Sequence, residues 1–289
     1  MAAVTANGIT IEYEEHGEGE PLLLVMGLSG QLTDWPLGFV DELVSCGFRV
    51  IRFDNRDIGL STEFTSVPPT TSQLAKAVLT RRPVPAEYRI SDMAADAAGL
   101  LDALGIEQAH VVGMSMGGMI TQALAIDHPS RVRSMTSIMS TTGNRRVGQP
   151  KLSLVRRFAR RPAPTRDTAV DLGLETFRAI SGPTFEEDEA RQMVEAAVAR
   201  SFRPASVGRQ TAAIIASPDR TADLRRLRVP ALVIHGLVDP LVRLSGGIAT
   251  AAAIPGSRLL VFNDMAHDLP RTRWHEMADS IARTAALAA

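Results

Sequence analysis

The chain reads as an α/β protein: a mostly parallel, doubly wound sheet with a helical cap inserted late in the sequence. Three observations predict this. Short apolar runs, among them Leu22 to Met26, Arg49 to Phe53, Val111 to Met114 and Met135 to Met139, recur between stretches with helical apolar spacing. Several of these runs are nearly continuous rather than alternating, as in strands covered on both faces. Between about Gly143 and Asp223 the rhythm stops, and strands resume only at Ala231 to His235 and Leu259 to Phe262. The expected division is a core of residues 1–142 and 224–289 and a cap of residues 143–223.

The remaining elements follow from local signals. Val4 to Ala6 and Ile9 to Glu14 flank Asn7-Gly8, the pair that best tolerates the positive φ angles of a type I′ hairpin turn. Asp34 to Ser45 has helical spacing. Ser91 to Leu104 reads as an amphipathic helix with Ser91 as N-cap and Gly105 ending it. In the cap, Leu172 to Ile180 and Asp188 to Ala199 are helix-like. Phe64 to Tyr88, containing VPPTT and RRPVP, is expected to be an irregular excursion lying against the cap.

Composition narrows the function classes. A length of 289 residues suffices for a large core, and a formal charge of −1 argues against a general nucleic-acid or membrane-surface protein. Cys46 is the single cysteine, so no intramolecular disulfide forms and a reducing compartment, the cytoplasm, is expected. The first 21 residues carry acids where a signal peptide needs a positive start and an apolar core, and PLLLVMG is too short to span a bilayer. Stable membrane insertion is therefore not expected. Oligomeric state is not legible.

The most informative stretch is AHVVGMSMGGMITQALA, residues 109–125. In Gly113-Met114-Ser115-Met116-Gly117 the glycines let a strand and the following helix pass closely, leaving Ser115 on a sharp turn with its hydroxyl exposed. The helix N-terminus then presents free N–H groups and the positive end of its dipole to negative charge on a bound oxygen. A dinucleotide fingerprint would need glycine in place of Ser115, and a phosphate-binding loop would need a Gly-Lys-Ser/Thr ending.

A serine needs a base and an orienting acid. LVIHGLVDPLV releases Asp239 after a strand, and LLVFNDMAHDLP carries His267 in the loop after the last strand. Both positions lie at carboxyl ends of parallel strands, where ligand crevices form. The chain order serine, aspartate, histidine suits this topology. His267 would accept the Ser115 proton and Asp239 would fix its tautomer. As structural alternatives, Asp239 is a turn residue before Pro240, Asp264 and Asp268 are surface acids, and His235 is a packing residue. His235 and Asp239 lack a third ligand at suitable spacing, so no metal is expected.

Backbone N–H groups of Leu28, following Gly27 after a strand, and of Met116 are the candidate oxyanion donors. Trp35 packs over this loop or forms a wall for substrate.

These motifs resemble the α/β-hydrolase fold serine hydrolases, and the resemblance covers the chain apart from the cap. It rests on LLLVMGLSG, RFDNRDIGLST, GMSMGG, VIHGLVDPLV and MAHDLP. VMG in place of the commoner His-Gly, together with FDNRDIGLST, is similar to the aclacinomycin methylesterase group of bacterial esterases. Members that use an aspartate nucleophile, the haloalkane dehalogenases and epoxide hydrolases, differ at Ser115. Asp54, Arg56 and Ser61 of FDNRDIGLST read as a second charged site or, as the resemblance implies, as a structural run in which Asp54 and Arg56 tie the loop together.

Two further patterns stand out. From Arg145 to Arg166 eight basic residues occur without an acid, either a solvated face or a site for an anionic substrate or lipid headgroup, with Leu152, Leu154, Val155 and Phe158 as an apolar stripe. Met26, Met114, Met116, Met139 and Met265 fall near the expected site, as adaptable pocket lining or as core filler.

The expected function is hydrolysis of small to medium, largely apolar carboxylic esters through an acyl-enzyme, without a cofactor. Leu174 and Phe177 of the cap are the expected contacts for the substrate. The same triad also serves thioesters, lactones, C–C bonds beside a ketone, or perhydrolysis. A binding protein that has kept only the fold is the reading from a different class.

Overall fold

The computed structural model describes residues 1–80 and 84–288. The chain opens with a hairpin, β1 (Ala2–Ala6) and β2 (Ile9–His16), turned at Asn7 and Gly8 with φ of 49° and 77°, the double positive φ expected of this pair. It continues through β3 (Glu20–Val25), α1 (Leu37–Ser45), β4 (Phe48–Phe53), α2 (Thr71–Thr80), α3 (Ile90–Ala103), β5 (Ala109–Met114), α4 (Met116–Asp127) and β6 (Val132–Ile138). Five helices follow: α5 (Leu152–Ala159), α6 (Ala169–Ile180), α7 (Glu187–Arg200), α8 (Pro204–Ala216) and the short α9 (Thr221–Leu224). Then come β7 (Ala231–Gly236), α10 (Ser245–Ala253), β8 (Arg258–Phe262) and α11 (Trp274–Ala285).

One eight-stranded sheet results, in the order β1-β2-β4-β3-β5-β6-β7-β8. Only β2 runs against the rest. β3 sends its connection to one side and β5 to the other, so the crevice of a doubly wound sheet lies at the carboxyl ends of these two strands.

Both faces are covered, and the leucine run of β3 shows how. Leu22 and Leu24 pack with Phe39, Val40 and Leu43 of α1 and Met277 and Ile281 of α11. Leu23 and Val25 pack on the opposite face with Leu100 and Leu101 of α3 and Ile120 and Leu124 of α4. A residue-by-residue alternation of faces thus appears as a continuous apolar run. Burying one such side chain is worth about 1.5–3 kcal/mol.

Several boundaries differ from expectation. The helix expected from Asp34 is a 3-10 turn at Leu32–Asp34 followed by α1 from Leu37, because Pro36 holds Trp35 extended at ψ 116°. α3 begins at Ile90 rather than after a Ser91 cap, since the Asp92 carboxylate accepts a hydrogen bond from the Arg89 amide at 2.7 Å. The excursion from Phe64 to Tyr88 holds a ten-residue helix, α2, and residues 81–83 of its RRPVP segment lie outside the described residues. No described helix is long and apolar enough to cross a membrane.

Two glycines decide whether β5 can turn into α4. A Cβ on Gly117 would stand 2.0 Å from the Val25 carbonyl oxygen, and one on Gly113 would stand 2.2 Å from the Gly117 carbonyl oxygen. Backbone, unlike a long side chain, cannot yield there. We predict that Gly117→Ala destabilises the fold by about 3 kcal/mol or more, at or above the top of the usual overpacking range. Urea unfolding checks this, and a midpoint within error of wild type would refute it.

Candidate active site

Ser115 sits between β5 and α4 at φ 57°, ψ −117°, in the left-handed half of backbone space that residues with a side chain rarely enter. Hydrogen bonds hold it there. Its amide donates to the Ile138 carbonyl at 2.9 Å, and the Ser140 hydroxyl donates to its carbonyl at 2.7 Å. Gly27, just beyond β3, lies so close that a Cβ on it would be 3.2 Å from the Ser115 Cβ and 3.7 Å from its Oγ. Leu28 follows Gly27, and Met116 is the first residue of α4, whose leading amides have no partner within the helix. The two expected donors therefore flank the serine.

His267 lies in the loop after β8, with Nε2 2.9 Å from Ser115 Oγ and Nδ1 2.8 Å from Asp239 Oδ2. A carboxylate only accepts, so Nδ1 carries the proton and Nε2 is left to accept from the serine hydroxyl. Asp239 is buried after β7, and its other oxygen accepts from the amides of Leu241 and Val242, each at 2.8 Å. Residues 115, 239 and 267, far apart in the chain, thus form one hydrogen-bonded line. The loop of His267 is fixed in turn: its amide donates to the Ile180 carbonyl at the end of α6, and Asp268 accepts from Gly182 and Ala266.

The alternatives resolve residue by residue. Asp268 is half-buried and bridges two backbone segments, whereas Asp264 pairs with Arg273 at 3.0 Å. His235 is fully buried, and its Nε2 bonds the Val242 carbonyl at 2.7 Å; burial lowers its pKa and keeps it neutral beside Asp239. Trp35 needs correcting as a substrate wall. It is fully buried and stacked on Phe39 at 5.9 Å, because Pro36 and the start of α1 turn its ring into the core. Met26, Met139 and Met265 are core filler. Leu174 is buried and Phe177 half-buried on α6, whose hydrogen bond to the site runs through Ile180.

The basic segment divides. Arg157 and Arg161 pair with Glu175 of α6, and Arg166 lies over the Phe202 ring. The expected stripe lies on one side of α5, but only its Leu154 is buried and Phe158 half-buried, while Leu152 and Val155 are exposed.

The loop after β4 does more than expected. Asp54 and Arg56 do not pair with each other. Asp54 accepts from the Leu32 and Leu60 amides and meets Arg200 of α7 at 2.8 Å, while Arg56 pairs with Asp96 of α3 at 2.6 Å. Asp57, unmarked in the sequence, is fully buried between Arg209 and Ser206 of α8 and Tyr88. Arg209 and Ser206 lie some 150 residues away and Tyr88 lies 31, so no local pattern announces them.

A protein with this sheet and this serine turn belongs to the α/β-hydrolase fold family, whose model matches residues 20–270. The chain is 29% identical to rhodomycin D methylesterase DauP of Streptomyces sp. (strain C5), over 96% of this chain and 95% of that one. It is 30% identical to a 2-hydroxymuconate semialdehyde hydrolase of Pseudomonas putida, over 91% of this chain and 86% of that one. An esterase from Thermogutta terrifontis superposes with a TM-score of 0.75 at 22% identity, covering 100% of this chain and 99% of the other. The expected fold and the likeness to bacterial methylesterases are both met.

Beside the turn, Asp34 has one carboxylate oxygen accepting from the Gln31 amide and the other buried without a partner. Burial of the carboxyl, reinforced by nearby Asp54 and opposed by the Gln31 amide and Arg200, pushes its pKa up to about 7. A raised pKa favours the protonated folded state, so this contribution is full below about pH 4 and is lost as pH rises through 7. We predict that Asp34→Asn, which imitates the protonated form, gains stability over wild type by about 2–4 kcal/mol between pH 4 and pH 8. Melting curves at the two pH values check this, and an equal difference at both would show that Asp34 ionises normally.

Proposed function

We propose that the protein hydrolyses small to medium, largely apolar carboxylic esters, with Ser115 as nucleophile, His267 as general base and acid, and Asp239 as its orienting partner. The hydrogen-bonded line from Ser115 Oγ through His267 to Asp239 carries this reading, with distances of 2.9 and 2.8 Å. Ser115 Oγ attacks the ester carbonyl while His267 Nε2 takes its proton. The N–H groups of Leu28 and Met116 stabilise the oxyanion. Collapse expels the alcohol, protonated by His267, and leaves an acyl-enzyme. Water, deprotonated by the same nitrogen, then releases the acid and restores the serine. Asp239 stabilises the imidazolium in both halves, and no step calls on a cofactor.

In this reading residues 143–223 are a cap over a core of residues 1–142 and 224–289, and the cap grips the acyl or alcohol group. Leu174 and Phe177 are its proposed contacts. The relative acting on 2-hydroxymuconate semialdehyde supports one second reading, C–C bond hydrolysis beside a ketone by the same triad. A panel of p-nitrophenyl esters, thioesters, lactones and vinylogous 1,5-diketones separates the two.

We predict that Ser115→Ala and His267→Ala each lower kcat on the order of 10⁶-fold while the melting temperature stays near wild type. Asp239→Asn is expected to cost about 10⁴-fold through loss of the tautomer. Wild type should be labelled by a fluorophosphonate and Ser115→Ala should not; ester turnover that survived in Ser115→Ala would end the assignment. Leu174→Ala and Phe177→Ala should shift the ratio of kcat/KM between butyrate and acetate esters by about 10-fold, the worth of a methylene or two of fit. Unchanged ratios in both would reduce the cap to a structural cover.

A further inference from the structure

The segment that carries Leu28 has little structure of its own. From Gly27 to Gln31 it belongs to no helix or strand, and its internal bond, from the Gly30 amide to the Gly27 carbonyl, is long at 3.3 Å. Ser29 also stands at φ 63°, a conformation that costs a residue with a side chain about 1–2 kcal/mol. Something outside must hold it.

The holders come from the inserted helices. The Ser29 amide donates to Gln210 Oε1 of α8 at 2.9 Å, and Gln210 is fully buried, its Nε2 donating to the Arg56 carbonyl at 3.2 Å. Gln31 is gripped from α7: its Nε2 donates to the carbonyls of Ala197 and Ser201, and its Oε1 accepts from Arg200. Arg200 then reaches Asp54, which takes the Leu32 amide.

We propose that Gln210 is a positioning residue for the oxyanion hole, and that α8 thereby sets the direction of the Leu28 N–H through the neighbouring Ser29 peptide. This rests on the serine hydrolase reading above. Leu28 has one N–H and two backbone torsions between it and the Ser29 amide. Pinning that amide to a buried side chain removes the freedom by which Leu28 would turn its own N–H away. Without the clamp, Ser29 is free to relax toward negative φ and the donor is misaimed. The inserted helices are then a structural part of the catalytic step as well as of substrate selection.

Gln210→Met keeps the length and volume but removes both polar atoms. Losing a whole oxyanion donor lowers kcat about 10²–10³-fold, and a misaimed one less. We expect kcat for p-nitrophenyl acetate to fall about 10–10²-fold with KM within twofold of wild type. Affinity for a trifluoromethyl ketone, whose adduct with a serine carries the oxyanion, should fall by the same factor. Active sites counted by fluorophosphonate titration exclude a misfolded fraction. Unchanged kcat and ketone affinity per titrated site would overturn the proposal. Hydrogen exchange of the wild-type peptide spanning residues 26–31 tests it without a variant: the Ser29 amide should be protected as strongly as the amides of α8, and exchange at the rate of an open loop would also overturn it. A wild type neither labelled nor active on esters is a separate outcome, which removes the serine hydrolase reading and the proposal with it.

Discussion

The contact between Gly117 and the Val25 carbonyl is the constraint on which the rest of the site depends. Helix α4 can start where it does only because nothing stands between its first turn and the end of β3. That closeness forces β5 into an abrupt turn, leaves Ser115 at positive φ, and brings Gly27 against the serine. Ser115 and the first amides of α4 are therefore placed by one packing fact. Strain in the turn is offset by the bonds from Ser115 to Ile138 and from Ser140 to Ser115.

The loop after β4 plays the corresponding part for the inserted helices. Asp54 and Asp57 are both fully buried, and each meets an arginine from the insertion, Arg200 and Arg209. Removing one member of a buried pair costs about 3–5 kcal/mol, because the other is left uncompensated. Arg56 ties the same loop to α3 through Asp96. One loop of the core thus anchors a helix of the sheet layer and two helices of the insertion.

Much of the frame was legible because it follows local rules. Apolar runs marked the strands, Asn7-Gly8 marked the hairpin, and the glycines about Ser115 marked the turn. Chain order pointed to Asp239 and His267, and the structure brings all three side chains into hydrogen-bonding distance. What stayed hidden depends on distant partners. α8 begins with Pro204, a recognised first-turn residue, but Arg209 and Gln210 are buried on it, so its apolar periodicity is broken where it meets the core. α5 does carry an apolar stripe, but Leu152 and Val155 on it stay exposed, so the pattern did not foretell burial. Trp35 looked available to a ligand until the geometry at Pro36 placed its ring. Asp57 gave no signal at all, since its meaning lies in Arg209.

The bonds between the insertion and the core are directional. Two apolar faces can slide over one another at small cost and settle in several registers. A carboxylate between a guanidinium and a hydroxyl, or a glutamine with one end on an amide and the other on a carbonyl, has one arrangement that satisfies every atom. Should the helices lift to admit a ligand, they return like a key to its wards. Each such return would restore the same bonds to the segment beside Ser115.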